Sequence, residues 1–160
     1  RTYGEERWAR KIARSIVRSR KERGEISTTR DLVDAVFRTL PRNARRARIH
    51  PATRVFMALR IAVNRELESL EEFLEDLPNL MHQGGRCCIL SFHSLEDRIV
   101  KQRFRHWERP PVDPNIPEDD SRKQEPLLRQ VRRKVLRPQE EEVLLNPLAR
   151  SAKLRVTERL

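Results

Sequence analysis

The sequence predicts an α/β fold, in which a basic helical lobe precedes part of a sheet. Three observations predict it. In the first half of the chain, apolar residues recur every three to four positions over three segments, as in amphipathic helices. A short apolar run, RCCILSF, then follows a Gly-Gly pair and leads back into helical spacing. Finally, AKLRVTER alternates apolar and polar residues near the end of the chain, a pattern typical of a half-buried strand.

The first two helices are predicted from apolar spacing and terminal residues. Apolar residues from Trp8 onward predict a helix over Gly4–Arg23, with two glutamates in its first turn and basic side chains at its end. That order of charges complements the helix dipole, and the glycine that follows is a natural stop. A second helix is predicted to begin near Thr28 or Thr29, either of which can cap it, and to end at Pro41.

The third and longest helical segment is predicted over Thr53–Leu77, where apolar residues step by seven. Its short loop to the run RCCILSF suggests a helix that leads into a parallel strand. Ser94 is expected to cap the next helix, with two acids in its first turn. The Pro-rich stretch 109–126 is expected to be a loop. After it we predict a strand at VRRKVL, a helical turn at EEEVLL, a second turn at NPLARS and the final strand.

The positive charge lies in the first part of the chain. The formal net charge is +11, and residues 1–60 hold 17 Lys and Arg against 6 Asp and Glu, whereas the remainder is balanced. A polyanion would therefore bind the first part. Nucleic acid is favoured over an acidic membrane, because the predicted helices lack a large exposed aromatic or leucine face. The stretch Pro41–Arg54 has five arginines and no acid, so it either contacts phosphates or is simply solvated.

Composition excludes several classes of protein. No apolar run has the length of a membrane span, and no signal peptide opens the sequence. Cys87 and Cys88 are adjacent, so they would point to opposite faces of a strand and form neither a disulfide nor a metal site. A reducing cytoplasm is the expected location. Because the sequence opens with Arg1 and a predicted helix begins almost at once, we expect a portion of a longer protein.

The candidate chemistry lies where the predicted strand ends. Ser91, His93 and Ser94 follow it, and in open α/β sheets the ligand crevice lies beyond the carboxyl ends of the strands. Purely structural roles are equally compatible with the sequence. Ser94 would then be only a cap, Asp97 would pair with a cation of its own helix, and His93 would satisfy a backbone carbonyl. Asn64, which borders the apolar face of the third helix, is either a buried hydrogen-bond partner or a ligand contact.

Other catalytic signatures are missing from the sequence. There is no Gly-rich phosphate or dinucleotide loop, no Walker lysine motif and no metal-ligand spacing. A hydrolase using Ser91, His93 and Asp97 is disfavoured, because close sequence neighbours rarely form a triad and there is no nucleophile elbow. The residues alone therefore indicate a sheet edge with a basic lobe that faces RNA.

Four blocks of the sequence carry a resemblance to a known family: GEERWARKIARSIV, HPATRVFMALRIAVNREL, GGRCCILSFHSLEDRIVK and NPLARSAKLRV. Together and in this order they resemble the RsmH/MraW family of bacterial ribosomal small-subunit RNA (cytosine-N4)-methyltransferases. The resemblance covers almost the whole chain. Two departures are mild: Met57 stands where the family has Gln, and Leu148 where it has Arg. The second removes a potential phosphate contact.

The resemblance implies a partial Rossmann-like class I methyltransferase sheet, formed by its C-terminal strands, and a helical insertion domain. Residues 1–65 would be the basic insertion that holds RNA, and residues 66–160 the C-terminal part of the methyltransferase domain, with the Pro-rich loop at 109–126. The family's Gly-rich cofactor loop, acidic ribose-binding residue and catalytic segment lie upstream of Arg1. No cofactor-binding residue is therefore expected in this chain.

The resemblance also implies a function. The full-length enzyme would use S-adenosylmethionine to methylate the N4 amine of a decoding-centre cytidine of 16S rRNA in the small ribosomal subunit, in the cytoplasm. The alternative is a non-enzymatic RNA-binding module. No membrane or metal is expected, and a homodimer is left open. The catalytic candidates are Ser91, His93, Ser94, Asp97 and Asn64. The RNA-binding candidates are Arg45, Arg46, Arg48, Arg54, Arg60, Lys101, Arg150 and Lys153.

Overall fold

The structure, a computed structural model, describes residues 2–41, 44, 50–110 and 125–160. The chain divides into two compact units, Arg1–Glu66 and Leu67–Leu160. The first unit is helical. The second combines helices with a sheet, so the predicted α/β class is confirmed. Among the described residues, no helix combines the length and the apolar character needed to cross a membrane.

Within its described residues, the first unit has the helices α1 (Ala9–Arg23), α2 (Thr29–Phe37) and α3 (Thr53–Asn64). One apolar face of each contributes to a shared core, and the Ser15 hydroxyl of α1 donates a hydrogen bond of 2.7 Å to the Ala35 carbonyl of α2. The buried residues of this core are Ile12, Leu32, Val36, Leu40, Ala52 and Val55.

The ends of α1 and α2 follow local chemistry. The start predicted for α1 was wrong, because the Glu6 carboxylate accepts a hydrogen bond of 2.9 Å from the Trp8 amide and the helix begins only at Ala9. Its predicted end at Gly24 is confirmed, and the φ of +89° there favours glycine. The predicted cap of α2 is also confirmed. Thr28 and Asp31 form a reciprocal capping box at its start.

The predicted uninterrupted helix over Thr53–Leu77 was wrong. It is broken at Arg65, which has a left-handed conformation with φ of 52°, and α4 begins at the next residue (Glu66–Leu80). The apolar spacing continues across the break, so it could not reveal that a non-glycine residue adopts this conformation.

The second unit continues with β1 (Arg86–Ser91), α5 (Ser94–Glu108), β2 (Leu128–Gln130), α6 (Glu140–Leu145), a 3₁₀ turn (Pro147–Ser151) and β3 (Lys153–Arg159). The three strands form a sheet with the order β1-β3-β2, and both pairings are antiparallel. Among the described strands, β1 therefore has no parallel neighbour of the kind that the sequence suggested. The helical turn at EEEVLL and the turn at NPLARS are confirmed.

The core of the second unit lies between α4, α5 and one face of the sheet. Phe104 and Val100 of α5 are its most central side chains, at 0% and 1% exposure. Cys87 and Ile89 of β1 pack against them at the edge of this core. The buried members of the cluster are Leu74, Leu77, Val100, Phe104 and Leu128.

Two predictions about the last strands were wrong. The strand predicted at VRRKVL lies earlier, at Leu128–Gln130, and of the predicted residues only Leu136 forms an isolated bridge, to Leu154. In β3 the alternation is present, but the buried positions are polar: Arg155 and Thr157 are 8% and 0% exposed. The Thr157 hydroxyl donates to a carbonyl of β2, and an aspartate pairs with Arg155, so both polar groups have partners.

Candidate functional site

The turn between β1 and α5 is closed by His93 and Glu96. His93 is the N-cap of α5: its Nδ1 accepts a hydrogen bond from the Glu96 amide, and the Glu96 carboxylate accepts from the amides of Phe92 and His93. The cap predicted at Ser94 was therefore wrong by one residue, since Ser94 is the first residue of the helix. An imidazole nitrogen can replace the usual hydroxyl or carboxylate here because, when unprotonated, it too is an acceptor.

His93 is also mostly buried. Its side chain is 12% exposed, and Nε2 lies 3.2 Å from a Glu96 oxygen. The direction is poor, so Nε2 has no well-formed hydrogen bond within the described part of the chain. Because Nδ1 acts as the acceptor in the cap, the ring proton belongs on Nε2. His93 thus has one nitrogen fixed by the helix start and one buried donor with an imperfect partner.

Asp97 joins α5 to β3 through two cations. Its Oδ1 accepts a hydrogen bond of 2.8 Å from Arg155 Nε, and its Oδ2 accepts one of 3.2 Å from Lys153 Nζ. The side chains of Asp97, Arg155 and Lys153 are only 15%, 8% and 19% exposed. Burial raises the pKa of Asp97, but the hydrogen bonds and charges of the two cations outweigh it and hold the pKa below its ordinary value. The predicted pairing of Asp97 with a cation of its own helix is not what the structure has.

Ser91 is the last residue of β1 and is 4% exposed. Its hydroxyl donates a hydrogen bond of 3.3 Å to the Lys153 carbonyl. The hydroxyl of Ser91, Nδ1 of His93 and the carboxylate of Asp97 thus each serve a different partner. The described contacts contain no relay from Ser91 through His93 to Asp97, which agrees with the weak case for a hydrolase.

Asn64 and Arg60 are brought together in the first unit by Glu66. Arg60 forms a two-pronged contact with the Glu66 carboxylate, with distances of 2.7 and 3.0 Å, and Asn64 Nδ2 donates to the same carboxylate at 3.2 Å. Arg65, the left-handed residue, lies between Asn64 and Glu66 in the chain. Both side chains therefore already have a partner within the first unit, and any ligand would compete with Glu66 for them.

The predicted RNA-binding residues differ in their surroundings. Arg45, Arg46 and Arg48 lie outside the described residues. The Arg54 side chain is 54% exposed. Its Nη1 lies 3.9 Å from a Glu6 oxygen, which is too far for a hydrogen bond. Arg60 is bound to Glu66 and Lys153 to Asp97, so neither is an unoccupied cation. Lys101 and Arg150 are exposed.

A cavity that the sequence analysis missed lies along α5. It has a volume of about 570 Å³ and is lined by Lys101, Arg105, Arg109 and Arg133, among other residues. Part of the signal was present in the sequence, because Lys101 and Arg105 are four positions apart in the predicted helix, which places them on one face. Arg133 could not have been added from spacing, because it follows β2, far away in sequence.

Comparison with known proteins gives a consistent result. The profile of the MraW methylase family matches residues 1–160. A protein named Ribosomal RNA small subunit methyltransferase H from Syntrophobacter fumaroxidans is 49% identical over 159 residues, which are 98% of this chain and 49% of that protein. Proteins of the same name from Citrifermentans bemidjiense and Nostoc punctiforme are 50% and 49% identical, over 99% of this chain.

The matched region covers nearly all of this chain but only part of each relative. The chain spans about half the length of the curated relatives it matches, with 50% of the Citrifermentans protein and 46% of the Nostoc protein covered. Identity at this level over nearly every residue of the chain is ample to assign a family. The chain belongs to the MraW methylase family.

Proposed function

We propose that this chain is the RNA-holding part of a methyltransferase that methylates the N4 amine of a decoding-centre cytidine in 16S rRNA, with S-adenosylmethionine as the methyl donor. The observation that carries the proposal is the close similarity to proteins named Ribosomal RNA small subunit methyltransferase H. The small ribosomal subunit would be the partner and the cytoplasm the place of reaction.

The charge distribution supports the RNA-holding part of the proposal. Residues 1–60 carry the entire formal charge excess of the chain. In α1 the last turn holds Arg20, Lys21 and Arg23, and no acid lies in its first turn. A positively charged lobe of this kind attracts the phosphate backbone without reading sequence, and so would position RNA rather than select the target base. We propose that Arg45, Arg46, Arg48 and Arg54 provide the backbone contacts, with Lys101 and Arg150 in the second unit.

The described residues do not fit S-adenosylmethionine. Its sulfonium is a cation, whereas the cavity along α5 is lined by five Lys and Arg side chains. A second hollow, lined by Leu90, Leu136, Leu154 and neighbouring residues, has a volume of about 160 Å³. That is below the size of ordinary cofactor pockets, roughly 300 Å³ and more. We propose that the donor binds elsewhere in the full-length protein.

The turn between β1 and α5 has a positioning role in this proposal. Asp97 fixes α5 to β3 and His93 fixes the start of α5, so the end of β1 is held rigidly. Ser91 and Ser94 would be next to the crevice if the full-length protein has the open sheet of the family. In that case Ser94, at the exposed start of α5, is better placed than the buried Ser91 to meet the target base. Asn64 could contact RNA only by giving up its hydrogen bond to Glu66.

The test is methyl transfer by the full-length protein that contains these residues. Small ribosomal subunits that lack the modification are incubated with labelled S-adenosylmethionine, and the rRNA is digested to nucleosides for mass spectrometry. We expect label in N4-methylcytidine, located by sequencing to the decoding centre. Label in another nucleoside would overturn the assignment of the target. Tight RNA binding without methyl transfer would instead support the non-enzymatic RNA-binding module.

A further inference from the structure

The cavity along α5 is lined by a row of cations. Lys101, Arg105 and Arg109 are exposed and follow one another at intervals of four residues, the first two on α5 and Arg109 as the residue that caps its end. Lys101 and Arg105 are therefore about 6 Å apart along the helix axis. Arg133, from the segment after β2, supplies a fourth exposed cation to the same cavity. The remaining lining is mainly polar and includes Gln102, His106 and Gln130.

The acidic residue that lines this cavity already accepts hydrogen bonds from the protein. Glu108, which lines it, accepts a hydrogen bond of 2.8 Å from Gln130 Nε2 and one of 3.4 Å from the Gln130 amide. Arg155 also reaches the cavity, but its charge is balanced by Asp97. Within the described part of the chain, no carboxylate lies within salt-bridge distance of the four exposed cations that line the cavity. The cavity thus carries an excess of positive charge, and two of its cations lie on a helix that is anchored in the core.

We propose that this cavity, lined by Lys101, Arg105, Arg109 and Arg133, binds consecutive phosphates of a ribonucleic acid chain. Guanidinium groups match phosphate oxygens in pairs, and a row of cations in a concave surface follows a polyanion better than scattered charges do. The inference rests on the proposed function and deepens it, because it gives the RNA a second contact surface outside the basic helical lobe.

An anionic membrane is a poorer match to the same surface. A helix that lies on lipid presents an apolar face beside its cations. The apolar face of α5 is instead buried, since Val100 and Phe104 are 1% and 0% exposed in the core. What remains outside is polar and cationic, which suits the phosphate backbone of an RNA.

The first test uses two variants of the full-length protein that remove equal charge. Arg105→Gln with Arg109→Gln empties the cavity of two cations, whereas Arg132→Gln with Lys134→Gln removes two exposed cations beside Arg133 that do not line it. Binding of a small-subunit rRNA fragment is measured over a range of salt concentrations. We expect the cavity variant to bind roughly tenfold more weakly and its log–log salt slope to fall by about one to two units, and the control to change little. Equal effects in both variants would overturn the proposal.

The second test needs no variant. Lys101 and Lys134 are both exposed, but only Lys101 lines the cavity, so the rates at which an acylating reagent modifies them can be compared by mass spectrometry. The same rRNA fragment should slow acylation of Lys101 several-fold and leave Lys134 nearly unchanged. Equal protection of the two lysines, or none at Lys101, would contradict the proposal.

Two further outcomes separate this proposal from the proposed function. A wild-type protein that methylates rRNA, combined with a cavity variant of unchanged RNA affinity and salt slope, would overturn the cavity proposal and leave the function intact. A wild-type protein that neither methylates nor binds rRNA would overturn both. Loss of binding to phosphatidylserine vesicles by the cavity variant, with RNA binding intact, would reassign the surface to a membrane.

Discussion

Asp97 and Arg155 connect α5 to β3 through a hydrogen bond of 2.8 Å, in a place where the arginine is 8% exposed. Lys153 shares the same carboxylate. Two cations on the inner side of a strand would be strongly unfavourable without a counter-charge, and Asp97 is the acid that the helix supplies. This pair explains how a strand can turn a polar side chain toward the core. Asp97 therefore has a structural role, even if it also lies near the site of the reaction.

Replacing Asp97 with Asn should destabilise the protein strongly. The change leaves Arg155 charged, nearly buried and without an anion, a situation that typically costs about 3–5 kcal/mol of unfolding free energy. Glu75→Gln is the matched control, because Glu75 pairs with Arg103 at 62% exposure and its removal should cost less than about 1 kcal/mol. Urea unfolding of both variants measures the difference. Similar small costs would show that the buried pair contributes little.

The contribution of Asp97 should depend on pH with a definite sign. Its pKa in the folded protein is lowered from the ordinary 3.8, so the stabilisation is fully present above that value. It is lost as the pH falls through the lower folded pKa, because the protonated carboxyl no longer balances the cations. The difference in unfolding free energy between the wild type and Asp97→Asn should therefore be constant at neutral pH and shrink below about 3.8. A difference that grows in acid would contradict this.

Substitutions of His93 distinguish a capping role of its side chain from a catalytic role. Asn can accept the same backbone hydrogen bond at an N-cap, whereas Ala cannot, so His93→Ala should be less stable than His93→Asn by about 1 kcal/mol. We expect His93→Asn to keep most of the methyl transfer of the full-length protein. A folded His93→Asn variant with activity reduced by a factor of about 100 or more would mean that the imidazole takes part in the reaction.

Gly4 is constrained by close packing. A Cβ at this position would lie 2.7 Å from the Arg54 carbonyl oxygen and 3.2 Å from the Ala58 Cβ. Gly4→Ala should therefore cost roughly 1–3 kcal/mol through displacement of the chain against α3. Arg14→Ala is the control, since Arg14 is exposed on α1 and Ala is favourable in a helix. Thermal unfolding should show a clear loss of stability only for Gly4→Ala; equal changes would mean that the close approach is easily relaxed.

The basic stretch Pro41–Arg54 carries a prediction from sequence alone. Changing Arg45, Arg46 and Arg48 together to Ala should weaken rRNA binding and flatten its salt dependence, by about one unit of log–log slope for each phosphate that the variant no longer binds. Filter binding at several salt concentrations measures the slope. An unchanged slope would mean that these arginines are merely solvated.

Local signals in the sequence were sufficient for several elements. Thr28 and Gly24 were identified as helix ends because capping and left-handed geometry depend on the residue and its immediate neighbours. The alternation in β3 likewise predicted a strand. Its buried side was assigned wrongly, because burial of Arg155 depends on Asp97, which lies 58 residues earlier. No local pattern contains that contact.

The turn after β1 was predicted in position but not in detail. The polar turn after β1 was recognised from residue type, yet the choice of His93 over Ser94 as the cap depends on the orientation of one imidazole. The cationic cavity needs Arg133 beside α5, which is a result of tertiary structure. The break at Arg65 depends on a backbone conformation that an arginine adopts only rarely.

Ultraviolet cross-linking of the full-length protein shows directly which residues contact the methyl donor and which contact RNA. Labelled S-adenosylmethionine and an rRNA fragment are cross-linked separately, and the modified peptides are identified by mass spectrometry. RNA adducts should fall within residues 1–160, in the basic stretch and along α5, and donor adducts should fall elsewhere in the protein. A donor adduct within residues 1–160, together with RNA adducts confined to the rest of the protein, would contradict the account.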